Sequence, residues 1–156
     1  MLTKQQFELI QIFFCRNLDV MVEEDDILYY EEDDDNCGYY SNTDNKVHIY
    51  KYMDDVLTVT TVVHELMHLI QYKFKKSLLF DSIDDTVLYE LVPYNMRLVE
   101  YEARYMELSF LCFLNKSNIR NTLAIFDDMD KDNNNFDLFI SKINNKEIEN
   151  ILLSRI

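Results

Sequence analysis

Apolar residues recur at Phe7, Ile10, Phe13 and Phe14, the spacing of one helical face. Thr3 and Gln6 stand ahead of them as a capping box, so a first helix is expected over about residues 4–16. Ile27-Leu28-Tyr29-Tyr30 is a short apolar run between two acidic runs, Glu23–Asp26 and Glu31–Asp35, and reads as a strand between solvated loops. Gly38–Tyr40 and Lys46–Tyr52, joined by a turn at Ser41–Asn45, read as a hairpin. In its second strand Val47, Ile49 and Lys51 share one face, and Lys46, His48, Tyr50 and Tyr52 share the other. A long helix capped by Asp54 or Asp55 is expected to run to about Lys76, where Lys73, Lys75 and Lys76 suit the negative end of its dipole. A loop at Ser77–Asp85 and a short element near residues 86–92 precede Pro93 and a strong helix from about Asn95 to Leu114. The remaining residues read as helical pieces broken by the Asp/Asn run 128–135. That run lacks the glycine and the closing glutamate of a calcium loop, Asn133 and Phe139 standing in their places, and so reads as an Asn-rich loop.

These elements predict an α+β fold. We expect one domain over residues 1–156, mostly helical, with a sheet of about three strands packed on the 55–76 helix. Its motif-bearing part spans about residues 38–110 and its helical C-terminal part about 115–156. A hydrophobic fraction of 48% supports a packed core. With one Gly and one Pro in the chain, tight turns fall to Asn and Asp. A net charge of −14 argues against a nucleic-acid partner and favours a basic peptide or protein. Cys15, Cys37 and Cys112 are odd in number and contain no C-x-x-C pair, which fits a reducing compartment. No run is long and apolar enough for a membrane span, and no signal peptide is evident, so a cytoplasmic protein is expected. Oligomeric state has no signature here.

The candidate chemistry lies in the long helix. Residues 64–68 read His-Glu-Leu-Met-His, and at i and i+4 the two imidazoles reach one ion from one helix face. Glu65 is rotated by about 100° from His64, where it can act on water without displacing a ligand. Thr61, Val62, Val63, Leu66, Met67, Leu69 and Ile70 are uncharged, as in a buried helix, and their order follows the flanks typical of zinc metallopeptidases. Gln71 and Phe74 occupy the Gly and His positions of the longer three-histidine pattern, and His48 lies upstream. A third ligand would therefore be a carboxylate.

Arg97, Glu100, Arg104 and Glu107 form a stripe of alternating charge on the 95–114 helix, the pattern of a solvated face. Glu102 stands apart from it, among Leu98, Val99, Tyr105 and Met106, where a carboxylate needs a positive partner. Glu102 is accordingly the first choice for the third ligand and Glu100 the alternative, with Asp81, Asp84, Asp85 and Glu90 behind them.

Glu100-Tyr101-Glu102-Ala103, some thirty residues after H-E-x-x-H, resembles the small gluzincin-type peptidases, including the ImmA/IrrE group, at the level of the superfamily. The resemblance implies that the Glu before Ala, Glu102, completes the zinc site. It departs from larger gluzincins at Met106, where those carry an acid that orients a zinc histidine. The expected activity is a zinc-dependent endopeptidase with one Zn²⁺ held by His64, His68 and Glu102 and with Glu65 as general base. Tyr72, Tyr94, Tyr101 and Tyr105 are candidate oxyanion donors, and the strand at 46–52, as a sheet edge, would hold an extended peptide. The alternative is a catalytically silent zincin-like domain that binds a protein partner.

Overall fold

The computed structural model describes residues 1–32, 37–50, 55–78 and 98–114. They form helix α1 (Lys4–Leu18), a 3-10 turn (Glu24–Asp26), strands β1 (Ile27–Tyr30), β2 (Gly38–Ser41) and β3 (Lys46–Tyr50), and helices α2 (Asp55–Lys73) and α3 (Leu98–Leu114). The class is α+β with a small mixed sheet. The element near residues 86–92, the beginning of the 95–114 helix, and the C-terminal pieces with their 128–135 run lie outside the described residues.

The capping box forms as its letters require. Thr3 Oγ1 accepts from the Gln6 amide at 3.2 Å, and Gln6 Oε1 accepts from the Thr3 amide at 2.9 Å. The helix continues two residues past the expected end and stops at Asp19, which is left-handed with φ 53° and donates its amide to the Cys15 carbonyl. Phe13 then meets Phe110 of α3 edge-on at 5.2 Å and Phe113 at 5.7 Å, which fixes α1 against α3.

β3 is the central strand, parallel to β1 and antiparallel to β2. The expectation that the 46–52 strand lies at the sheet edge is therefore corrected: β1 binds one side of β3 and the hairpin partner β2 binds the other. Val47 and Ile49 enter the core as their alternation predicts. His48, on the opposite face, is also buried, because Tyr30 and Tyr39 stack on either side of it at 5.6 and 4.6 Å. Its ring is satisfied at both ends, by the Tyr30 hydroxyl at 2.8 Å and by Asp44 at 3.0 Å. Gly38 sits where an added Cβ would come within 2.8 Å of the His48 carbonyl, so only glycine lets β2 close onto β3 at this point.

Helix α2 packs against α3, β2 and β3 and carries the core residues Val62, Val63, Leu66, Met67, Leu69 and Ile70. It ends three residues before the expected Lys76. Lys75 adopts φ 54°, and the Lys76 amide returns to the Ile70 carbonyl at 3.4 Å, a left-handed closure made without glycine. Two lysines tie this end down: Lys73 Nζ reaches the buried Asp26 carboxylate at 3.0 Å, and Lys76 Nζ donates to the Leu18 and Asp19 carbonyls that close α1. The turn also directs Ser77 and Leu78 back toward α3. Among the described residues no helix is long and apolar enough to cross a membrane.

Candidate metal centre

His64 and His68 lie one turn apart on the face of α2 that meets α3, and both are buried. Their Nε2 atoms face each other at 3.2 Å. The Glu100 carboxylate completes the group, with Oε2 at 3.2 Å from His64 Nε2 and Oε1 at 3.3 Å from His68 Nε2. Among the described residues, His64, His68 and Glu100 are the set that converges at ligand-to-ligand distances.

The other ring nitrogens show what this convergence requires. His64 Nδ1 bonds to Glu107, and a carboxylate can only accept, so Nδ1 carries the hydrogen. His68 Nδ1 bonds to Gln71 Oε1 at 2.9 Å and likewise donates. In the neutral imidazoles both Nε2 atoms are then lone pairs, aimed at each other and at a carboxylate. Three acceptors facing one another in a buried site repel unless a cation lies among them. Tetrahedral zinc, with bonds of about 2.0–2.1 Å, holds its ligand atoms about 3.3 Å apart. The donor set, its charge and its spacing therefore all fit zinc.

Without a metal, a proton takes the cation's place. Burial disfavours the His64 imidazolium, but the Glu107 and Glu100 carboxylates override it and push the group up to about 10. Burial also works against the Glu100 carboxylate, yet the hydrogen bond from His64 holds it well below its ordinary range. The His64 contribution to stability is whole below its ordinary value of 6.5 and is lost as pH rises through about 10. The Glu100 contribution is whole above its ordinary value of 4.5 and is lost as pH falls. Urea midpoints measured in chelator are therefore expected to decline from pH 6.5 to pH 10, and saturating zinc should remove that decline. Equal metal-free midpoints at both ends would show that His64 is not charged by its neighbours.

Of the two glutamates, Glu100 and not the first-ranked Glu102 lies beside the histidines in this structure. Glu102 is fully buried, as its apolar neighbours predict, but the groups that meet its carboxylate are protein donors. Gln71 Nε2 reaches Oε2 at 2.9 Å, while Ser77 Oγ and the Leu78 amide reach Oε1 at 2.7 and 2.6 Å. The charge stripe is not solvated either: Glu100 and Glu107 are 7% and 6% exposed, because that side of α3 faces the histidines. Glu107 is the acid that accepts from His64 Nδ1 and so orients its ring. It escapes a search made four residues after Glu102, but it stands seven after Glu100, two turns along one face.

A cleft of about 580 Å³ opens over the cluster, lined by Gly38, Tyr39, Tyr40, Asn42, Glu65, His68, Tyr72 and Glu100. Glu65 is half-buried in its wall, and its Oε2 accepts the Tyr40 backbone N–H of β2 at 2.8 Å. Of the four tyrosines proposed as oxyanion donors, Tyr72 lines this cleft. Its ring lies 6.5 Å from that of His68 and stacks on Tyr40 at 5.7 Å. Tyr105 is 1% exposed within the core and does not line the cleft. Tyr94 and the Tyr101 side chain lie outside the described residues, as do Asp81, Asp84, Asp85 and Glu90. Tyr40 and Gln71 are site residues that the sequence reading does not include. Gln71 has a readable signal, since it stands three after His68 and seven after His64 on the same helix face. Comparison of the chain with family models, curated proteins and solved structures yields no match.

Proposed function

We propose that this protein is a zinc-dependent peptidase whose metal is held by His64, His68 and Glu100, with Glu65 as general base. The observation that carries the reading is the convergence of two imidazole lone pairs and one carboxylate, 3.2–3.3 Å apart, in a cleft that Glu65 also lines. Zinc bound there supplies Lewis acidity, polarising a substrate carbonyl and bringing the pKa of water toward neutrality. Glu65 takes a proton from the attacking water and passes it to the leaving amine. Its bond to the Tyr40 amide holds the carboxylate at the cleft wall. Tyr72 is the candidate donor to the developing oxyanion.

The strand suited to an extended substrate is β2, the end strand of the sheet, whose Gly38, Tyr39 and Tyr40 line the cleft. The carboxylates in the cleft and the charge of −14 favour a basic peptide. Incubation with a basic peptide library should give cleavage that a chelator abolishes and zinc restores. Cleavage indifferent to chelation, or none from the zinc-loaded protein, would end the peptidase reading.

A further inference from the structure

We infer that Glu102 is a positioning residue that acts on His68 through Gln71, fixing by hydrogen-bond polarity which His68 nitrogen is left for the metal. The inference rests on the zinc reading for its consequence but not for its geometry. Gln71 is fully buried and spans the two residues: its Oε1 accepts from His68 Nδ1 at 2.9 Å, and its Nε2 donates to Glu102 Oε2 at 2.9 Å and to the Val99 carbonyl at 3.1 Å. A carboxylate and a backbone carbonyl are both pure acceptors, so the amide nitrogen must lie on their side. The amide oxygen must then face His68, whose Nδ1 becomes the donor and whose Nε2 keeps its lone pair toward His64 and Glu100.

Only a side chain that accepts at both of its terminal atoms completes this arrangement at position 102. The Leu78 amide is an obligate donor to Oε1 at 2.6 Å, and the Gln71 amide nitrogen is a donor to Oε2. Glu102 thus offers an acceptor at each end, between two donors. A glutamine there has one acceptor and one donor, so whichever way it turns, N–H meets N–H at one end. The side chain that the sequence pattern marks as a ligand serves the site from behind, and its buried carboxylate faces donors from the turn after α2.

The experiment uses two variants of the full chain, E102Q and the exchange Q71E/E102Q. In the exchange, the carboxylate now at position 71 accepts from His68 Nδ1 at one oxygen. Its other oxygen accepts from the amide nitrogen now at position 102, and the oxygen of that amide accepts from Leu78. The bond from position 71 to the Val99 carbonyl is lost, and a carboxylate oxygen there faces that carbonyl, acceptor to acceptor. Zinc affinity of E102Q should fall at least tenfold, the range typical of removing a ligand's supporting partner, and the exchange should recover most of it. In the metal-free protein, ¹⁵N NMR should show the Nδ1–H tautomer of His68 in the wild type and the exchange variant, and its loss in E102Q. An E102Q that fails to fold beside a folded, zinc-binding exchange variant supports the relay as well. Unchanged affinity and tautomer in E102Q would overturn it, as would an exchange variant no better than E102Q. A tautomer switch in a protein that takes up no zinc would sink the metal reading and leave the relay standing.

Discussion

Replacing Glu65 by glutamine is expected to lower peptide hydrolysis by about 10²- to 10⁴-fold, with zinc content unchanged at one ion per chain. The substitution is nearly isosteric. The amide oxygen introduced at position 65 can still accept the Tyr40 N–H, so the side chain keeps its place in the cleft wall. What disappears is basicity, because an amide cannot take a proton from water at neutral pH. Glu65 is also absent from the converging metal cluster, so its loss should not empty the site. Metal analysis and turnover measured on one preparation separate the two properties. Full activity would remove Glu65 from the chemistry. Loss of zinc together with activity would make it a ligand, against the geometry.

The residues that sequence spacing makes legible are those whose relation is local. His64, Glu65 and His68 are set by one turn of one helix, the capping box by three residues, and β1 by a bounded apolar run. Glu100 and Glu102 differ because their roles depend on what the other side of α3 meets. A stripe of alternating charge has the same letters whether it faces water or a pair of buried histidines. Glu107 reads as a surface salt-bridge partner until α2 is laid across it. For Glu102, the apolar neighbourhood is legible, but the described donors that meet the carboxylate are not. Donors from Gln71, Ser77 and Leu78 meet it, and the latter two arrive through a left-handed turn at Lys75 that no glycine signals. The edge strand is misplaced for a similar reason. Alternation identifies a strand and its faces, but strand order is set by pairing with β1, and Ile27 to Tyr30 carries no mark of which partner it will choose.

Glu100→Gln should weaken zinc binding by more than about 100-fold, beyond the range for loss of a supporting partner, because it removes a ligand charge. It also makes a second, independent mark on the metal-free protein. Glu100 is one of the three carboxylates that keep His64 charged, so its neutralisation lowers the His64 pKa and leaves Glu107 and Glu65 to hold the proton. The decline in stability should therefore still begin near pH 6.5 but end at lower pH and be smaller in total. Glu102→Gln bears on the same affinity by another path: it turns the His68 lone pair rather than removing a ligand, and it leaves the His64 titration where it was. Zinc titration and urea midpoints across pH, measured on both variants, thus assign the two glutamates. A silent Glu100→Gln beside a Glu102→Gln that binds no zinc would return the third ligand to Glu102. It would also mean that α3 turns by about 160–200° about its axis when the metal binds, since residues two apart on a helix face opposite sides.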